Sequence, residues 1–278
     1  MRSVPILTEG FTGHRDFPSQ HEATDHTPLT TPNRNSDSRS TGIRFLVKEN
    51  APAVGQQAAI LVAEQLCRKP DSSIVFPTGN TPLPLYQSLR GANGIDWHQA
   101  RLFQLDEYLS PHPDKPIIYE SFAAYMEREL WAHIAGQKFY IQDYLHDPAG
   151  YEQLLMANHG PDLVILGIGT NGHVAFNEPG SLPDSPTRVI DLTEETLRSN
   201  FKALDRSECP RQAMSLGLLA ILSAREIILM ATGENKQGIF QKAFHPQQAP
   251  SLDCPASWLK QHPNVLMLTD FEVSFPVD

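Results

Sequence analysis

Apolar residues along the chain change repeatedly between a strand-like and a helix-like periodicity. Short apolar runs predict strands at residues 43–47, 73–76, 101–105, 162–166, 226–230 and 265–268. Apolar residues at helical spacing predict helices at 51–67, from about Pro82, and at 121–133, 147–159 and 234–243. Strands that alternate with helices are typical of a doubly wound, mostly parallel sheet, so we expect an α/β fold with helices on both faces.

Residues 1–41 differ from the rest of the chain. They are rich in Ser, Thr, Pro and Asn and follow neither periodicity. Such a segment cannot bury enough apolar surface to offset the entropy lost on ordering, so we expect a flexible N-terminal extension. Residues 42–278 are then expected to form a single domain.

The chain has 278 residues and a formal net charge of −10, from 22 basic and 32 acidic side chains. This balance argues against a nucleic-acid partner, which needs a basic face or stripe. No apolar run approaches the ~20 residues of a membrane span, and the N-terminus shows no secretory pattern. Three widely separated cysteines fit a reducing compartment. We therefore expect a cytoplasmic protein that contacts no membrane.

Ligands of parallel α/β sheets bind beyond the carboxyl ends of the strands, so the residues that follow each strand carry the chemistry. The sequence PTGNTP at 77–82 follows the second predicted strand. It combines the hydroxyls of Thr78 and Thr81 with the flexible Gly79 and the start of a helix. These groups are suited to cradle a phosphate. The alternative is an ordinary strand-to-helix turn with a threonine cap.

Two other strand ends carry charged side chains. Asp106 and Glu107 follow the strand at 101–105, where a general base would stand, or else they form a solvated acidic turn. Lys236 lies in the first turn of a predicted helix, where the helix dipole disfavours a cation unless an anion binds nearby. The alternative for this residue is a surface lysine.

The segment GIGTNGHVAFNEPG at 167–180 has the most informative chemistry. Its glycines allow tight turns beside a ligand. His173 can exchange protons near neutral pH, and Glu178 can orient the ring or balance its charge. A zinc site would need a third ligand and a different spacing, so we expect no metal. The alternative is a glycine-rich loop with a structural histidine.

Four motifs resemble the glucosamine-6-phosphate deaminase/isomerase family, which includes galactosamine-6-phosphate isomerases. They are GHVAFNEPG at 172–180, PTGNTP at 77–82, LDEY at 105–108 and TGENK at 232–236. The resemblance runs from about residue 43 to 271 and implies a Rossmann-like fold. It also implies that an amino-sugar 6-phosphate and water give a ketose 6-phosphate and ammonia, without a cofactor or metal. The expected partner is a small sugar phosphate, and a homo-oligomer is left open.

The resemblance implies a role for each matching residue. Asp106 corresponds to the base that moves a proton between C2 and C1, and His173 to the group that assists ring opening. Glu178 corresponds to the carboxylate that positions this histidine. The phosphate-binding positions fall on Thr78, Gly79, Asn80, Thr81 and Lys236.

Three features depart from the family pattern. Asn171 stands where well-known members have Asp, and it can orient an imidazole but cannot balance its charge. Lys202 is the nearest cation to the position of a phosphate-binding arginine, and it lacks the bidentate guanidinium fork. Arg188 matches the basic cluster of allosteric members whereas Ile190 does not, so we expect no allostery by amino-sugar phosphates.

Two alternatives to a deaminase remain open. A 6-phosphogluconolactonase is similar in fold and in its Gly-His loop, but the FNEP segment with Glu178 favours the deaminase. A non-catalytic sugar-phosphate-binding effector domain would need a DNA-binding module, and residues 1–41 have too little helical pattern for one. The sequence does not distinguish glucosamine from galactosamine 6-phosphate.

Overall fold

The computed structural model describes residues 42–112, 114, 118–202 and 204–275. The predicted extension at 1–41 lies outside the described residues. The strands are β1 (Ile43–Val47), β2 (Ser73–Phe76), β3 (Arg101–Gln104), β4 (Asp106–Leu109), β5 (Gln137–Phe139), β6 (Leu163–Gly167), β7 (Arg188–Asp191), β8 (Gln212–Ser215), β9 (Glu226–Ala231) and β10 (Val265–Thr269). The α-helices are α1 (Ala51–Arg68), α2 (Leu83–Gly91), α3 (Phe122–Glu129), α4 (Pro148–Ala157), α5 (Glu194–Asn200), α6 (Leu218–Leu222) and α7 (Gln237–Phe244).

Seven strands form one parallel sheet in the order β1-β10-β9-β6-β2-β3-β5. Successive buried side chains of its strands alternate between two apolar clusters, one on each face. In β2, for example, Ile74 and Phe76 belong to one cluster and Val75 to the other. Burial on both faces explains why the inner strands β2, β6, β9 and β10 read as nearly uninterrupted apolar runs, whereas the edge strands β1 and β5 are partly exposed. The predicted doubly wound α/β fold is confirmed.

Different helices cover the two faces of the sheet. Residues of α1, α2 and α3 pack in one cluster, and residues of α4, α6 and α7 pack in the other. Helix α1 shows why the sequence folds this way. Asn50 caps its first turn by accepting from the Ala53 N–H at 2.9 Å, and Val54, Ala58 and Val62 line its buried stripe at a spacing of four residues.

The strand order reverses between β2 and β6. From β2 the chain continues outward through β3 to β5, whereas from β6 it continues in the other direction through β9 to β10. The loops that follow β2 and β6 therefore leave the sheet side by side at the reversal, which is where ligands bind in doubly wound folds.

A second sheet, which the sequence did not predict, lies against this edge. It is antiparallel, in the order β4-β8-β7. The predicted strand at 101–105 ends one residue early, and a new strand starts at Asp106. The three strands have four residues each and a mixed burial pattern, so no clear periodicity marks them.

Several helix boundaries also differ from the prediction. The helix predicted at 121–133 ends at Glu129 and continues as a 3₁₀ turn at Trp131–His133, because Leu130 leaves the helical conformation with φ −142°. The helix predicted at 234–243 begins with a 3₁₀ turn at Glu234–Lys236. In the part of the chain that the structure describes, no helix is both long and apolar enough to cross a membrane.

Candidate active site

Asp106 is a buried carboxyl group at the start of β4. Only 5% of the residue is exposed, and its Oδ1 atom has no hydrogen-bond partner among the described residues. Burial and, to a smaller extent, the neighbouring Glu107 raise the pKa of Asp106 well above its usual range. A carboxylate without compensating donors binds a proton strongly, and this property suits a general base.

Glu107 follows Asp106 directly but has a structural role. Its carboxylate accepts from the backbone N–H groups of Tyr108, Phe122 and Ala123 at 2.8–2.9 Å. Two of these donors belong to the first turn of α3, so Glu107 ties β4 to that helix. Both acids are almost fully buried, and the alternative of a solvated acidic turn is therefore wrong.

The loop at 168–180 brings Asn171, His173 and Glu178 together. The Asn171 side chain donates to Glu178 Oε2 at 2.6 Å and accepts from the His173 N–H at 3.1 Å. His173 Nδ1 lies 3.5 Å from Glu178 Oε2. Asn171 therefore orients both the backbone of the histidine and the carboxylate beside its ring.

Glu178 is stabilised as a carboxylate. Burial by itself would raise its pKa, but hydrogen bonds from His173, Thr196 and Asn171 together with the charge of His173 lower the pKa of Glu178 to about 2. The Thr196 hydroxyl donates to Oε1 at 2.5 Å. Glu178 is therefore ionised at neutral pH and can stabilise a positive charge on the imidazole.

Gly169 provides the space in which the imidazole of His173 lies. A Cβ atom at this position would be 2.4 Å from both Cε1 and Nε2 of the ring, which is far inside van der Waals contact. Any side chain at position 169 would displace the histidine. The sequence predicted glycines for tight turns beside a ligand, and the structure adds close packing against His173 as a second reason.

A short series of contacts connects Asp106 with the histidine loop. Asp106 pairs with Ser215 across the antiparallel sheet, and the Ser215 hydroxyl accepts from the Phe176 N–H at 3.0 Å. The ring of Phe176 lies 5.1 Å from that of Tyr108 and 6.2 Å from that of His173. The antiparallel sheet thus holds the predicted base and the predicted His–Glu pair at one edge of the molecule.

The predicted phosphate cradle forms the loop between β2 and α2. Gly79 adopts φ +99°, a conformation that favours glycine, and its carbonyl accepts from the Tyr125 hydroxyl at 2.5 Å. The side chains of Thr78, Asn80 and Thr81 make no hydrogen bond to another described residue. These side chains and the backbone N–H groups of Gly79, Asn80 and Thr81, which bond to no other described residue, remain available for an anion. The start of α2 adds little, because Pro82 and Pro84 have no N–H and the Leu83 N–H donates to the Asn80 carbonyl at 3.3 Å.

Lys236, in the 3₁₀ turn after β9, contacts the histidine loop at its first residue. Its Nζ donates to the Ile168 carbonyl at 2.8 Å. Burial lowers the pKa of Lys236, and the nearby Glu195 partly opposes this shift. The residue is half-buried and bonded to a backbone carbonyl, which argues against the alternative of an ordinary surface lysine.

Lys202 makes no hydrogen bond or ion pair with these residues in the part of the chain that the structure describes. It is exposed after α5 and lines a cavity of about 320 Å³ with Arg198, Arg206 and Arg211.

Arg188 is held by internal contacts, since its guanidinium donates to Asn177 Oδ1, to the Pro186 carbonyl and to Ser181 Oγ at 2.8–3.2 Å. Within the described residues, no hydrogen bond joins Lys202 or Arg188 to the predicted phosphate cradle.

Comparison with known proteins identifies the family. A family model described as glucosamine-6-phosphate isomerases/6-phosphogluconolactonase matches residues 47–267. The chain belongs to this family. The match includes the cradle, Asp106, the histidine loop and Lys236.

The relatives and solved structures of this isomerase/lactonase family differ in how closely they resemble the chain. A glucosamine-6-phosphate deaminase of Rhodopirellula baltica is 40% identical, with 82% of this chain and 95% of the relative covered. A glucosamine-6-phosphate deaminase of Halothermothrix orenii is 36% identical, with 84% of this chain and 99% of the relative covered. A solved monomeric glucosamine-6-phosphate deaminase gives a TM-score of 0.72 at 30% identity over 82% of this chain and 96% of its own. A solved 6-phosphogluconolactonase of Trypanosoma cruzi gives a TM-score of 0.66 at 18% identity, with 83% of this chain and 95% of its own covered. At this identity the similarity shows the fold alone.

Sequence reasoning missed the polar residues that support the histidine loop. Thr193 and Thr196 contact Glu178 from α5, and Ser215 contacts the loop from β8. Thr193 followed by two glutamates is the signature of a helix start, and it could have revealed α5. Ser215 carries no comparable signal, because its role depends on pairing between distant strands.

Proposed function

We propose that the chain converts glucosamine 6-phosphate and water to fructose 6-phosphate and ammonia. The main support is that a buried carboxyl group with a raised pKa, Asp106, is connected through Ser215 and Phe176 to a histidine that an ionised carboxylate, Glu178, supports at the carboxyl ends of the parallel strands. The alignment of this chain with two glucosamine-6-phosphate deaminases covers almost the whole length of each relative. This similarity favours the deaminase reaction over lactone hydrolysis.

His173 opens the sugar ring in this proposal. Opening requires that a proton leave O1 and that one reach O5, and an imidazole can exchange both near neutral pH. The ionised Glu178, 3.5 Å from Nδ1, stabilises the ring when it is positively charged. The other nitrogen, Nε2, then faces the substrate.

Asp106 moves a proton from C2 to C1 of the opened sugar. Removal of the C2 proton, with protonation of the aldehyde oxygen O1, gives an enolamine. Return of the first proton to C1, with loss of a proton from the amino nitrogen that replaces the one taken up at O1, gives an imine at C2. Water adds to this imine, and ammonia leaves from the resulting carbinolamine. The raised pKa of Asp106 makes its carboxylate a stronger base than an exposed aspartate.

The phosphate is held by the loop at 77–82 and by Lys236. Backbone N–H groups and hydroxyls of the loop supply directional donors, and the lysine supplies positive charge. Since Lys236 also contacts the Ile168 carbonyl, phosphate binding and the position of the histidine loop are linked. Lys202 is proposed as a further phosphate cation that would have to approach from the end of α5.

An ammonia-release assay tests the proposal directly. Purified protein is given glucosamine 6-phosphate, galactosamine 6-phosphate or 6-phosphogluconolactone, and ammonia and acid release are followed separately. We expect ammonia from the glucosamine substrate and a much smaller rate with the galactosamine compound. Acid release from the lactone without ammonia from either amino sugar would instead favour a lactonase, and binding without turnover would favour an effector domain.

A further inference from the structure

Helix α5 contacts both parts of the candidate active site. Its first turn contacts Glu178 through Thr193 and Thr196. At its other end Asn200 donates to the Tyr108 hydroxyl at 2.9 Å, and Tyr108 lies two residues after Asp106 on β4. The helix thus joins the strand of the proposed base to the carboxylate that supports the proposed acid–base histidine.

The hydroxyl of Thr196 lies between two groups of the proposed reaction. Thr196 is 1% exposed, and its Oγ1 atom is 2.5 Å from Glu178 Oε1 and 3.4 Å from His173 Nδ1. A hydroxyl has one proton to donate and two lone pairs. Because ionised Glu178 can only accept, the proton of Thr196 points to Oε1, and its oxygen is left to accept from the imidazole.

Nδ1 of His173 consequently faces two acceptors. They are Thr196 Oγ1 at 3.4 Å and Glu178 Oε2 at 3.5 Å. A nitrogen that faces only acceptors carries a proton, and in a neutral imidazole the lone pair is then on the other nitrogen. We infer that Thr196 is a positioning residue that keeps the proton of His173 on Nδ1 and leaves Nε2 free to act on the sugar.

The side chain of Thr196 is not needed to begin the helix. Thr193 is the N-cap residue, and its hydroxyl accepts from the Thr196 N–H at 3.3 Å. The cap bond uses the backbone N–H of Thr196, and the Thr193 hydroxyl also donates toward Thr196 Oγ1 at 3.1 Å. The proton of the Thr196 hydroxyl itself is donated to Glu178, and its remaining lone pair faces His173 Nδ1.

Three variants test the inference. Thr196→Val removes the hydroxyl, and Thr196→Ser keeps it. Thr187→Val is the matched control, because Thr187 is also buried and its hydroxyl accepts from one backbone N–H, that of Gly217 at 3.3 Å. Each variant is first checked by its melting temperature, and then kcat, KM and the nitrogen-15 shifts of His173 are measured. The His173→Gln variant assigns the imidazole signals.

The inference rests on the proposed function for its kinetic readout. We expect Thr196→Val to lower kcat about 10-fold with KM nearly unchanged, and Thr196→Ser to recover most of the loss, because only orientation of the acid–base group changes. Thr187→Val should keep the wild-type kcat. The nitrogen-15 shifts should show a protonated Nδ1 in wild type and in Thr196→Ser, and a smaller Nδ1-protonated population in Thr196→Val.

Two results would overturn it. Equal kcat values for the Val and Ser variants would mean that the hydroxyl does not matter, and equal tautomer populations in these two proteins would mean that it does not hold the proton. A wild-type protein without ammonia release would contradict the proposed function instead. The nitrogen-15 comparison would still be decisive in that case, since it needs no substrate.

Discussion

Asp106 and Glu178 are both buried carboxyl groups at the same edge of the sheet, yet their surroundings differ. Asp106 has an oxygen without a partner among the described residues, and its pKa is raised. Glu178 accepts from Asn171, Thr193 and Thr196, and its pKa is about 2. Burial alone therefore does not determine the protonation of a carboxyl group. The number of hydrogen-bond donors around it decides whether its pKa is raised, as for Asp106, or lowered, as for Glu178.

Replacing the proposed base should have the largest effect on activity. Asp106→Asn removes the group that accepts the C2 proton and keeps its shape, so we expect kcat to fall by about 10²–10⁴-fold. Binding of inorganic phosphate, measured by calorimetry, should be almost unchanged. Wild-type turnover in this variant would refute the role of Asp106.

His173→Gln should affect the cyclic substrate more than an open-chain analogue. The imidazole is proposed to act in ring opening, so a substrate that is already open avoids the lost step. We expect a loss of about 10²-fold with the cyclic sugar phosphate and a smaller loss with the analogue. Equal losses with both compounds, compared by kcat/KM, would remove the ring-opening role.

Gly169→Ala tests the packing of the imidazole. The new Cβ would lie 2.4 Å from Nε2 of His173 and would move the ring away from Glu178, so we expect kcat to fall about 10-fold or more. Gly167→Ala is the matched control, since a Cβ at Gly167 has no heavy atom within 4 Å. Similar kcat values for the two alanine variants would show that the ring position does not depend on Gly169.

The same two carboxyl groups should affect stability with opposite signs. The pKa of Asp106 is higher in the folded state, so its contribution is fully present below the unfolded pKa of about 3.9 and is lost as pH rises through the folded pKa. The pKa of Glu178 is lower in the folded state, so its contribution is present above about 4.3 and is lost as pH falls toward about 2.

At pH 7, Asp106→Asn should therefore raise the melting temperature and Glu178→Gln should lower it. The shift should be about 2–4 °C for each kcal/mol by which the free energy of unfolding changes. Calorimetry at pH 7 and at pH 3 measures both. At pH 3 the gain from Asp106→Asn should disappear. A destabilised Asp106→Asn protein at pH 7 would contradict the raised pKa.

The smallest effect is expected from an N-acetylated amino-sugar phosphate. The guanidinium of Arg188 is already bonded to Asn177, Pro186 and Ser181, and position 190 is an isoleucine. The plot of rate against glucosamine 6-phosphate concentration should be hyperbolic. It should not change when the N-acetylated compound is added. A sigmoidal curve that it made hyperbolic would contradict this expectation.

The sequence predicted the part of the fold that has strong local patterns. Six of the seven parallel strands and most long helices have apolar runs or stripes, whereas the short edge strand β5 was not predicted. Asn171, His173 and Glu178 are close because they share one loop. The antiparallel sheet and α5 were not predicted, because their segments are short and their partners are distant in sequence. For the same reason the burial of Asp106, the packing of His173 on Gly169 and the contacts of Thr196 could not be foreseen.

Lys202 shows a different limit of sequence reasoning. A position matched by resemblance gives a residue type but no distance, and here the lysine lies in a cavity with Arg198, Arg206 and Arg211. Its contribution to phosphate binding stays a prediction. Lys236, by contrast, contacts the carbonyl of Ile168, which places its charge beside the histidine loop.

The reversal of strand order between β2 and β6 has a consequence for how activity arises during folding. The loop after β2 belongs to the half of the sheet that contains β3 and β5, and the histidine loop belongs to the half that contains β9 and β10. A nascent chain that has released only its first half holds the proposed phosphate loop and Asp106 but lacks the imidazole. Turnover should therefore begin only when both halves have joined, which makes catalysis a direct reporter of complete assembly.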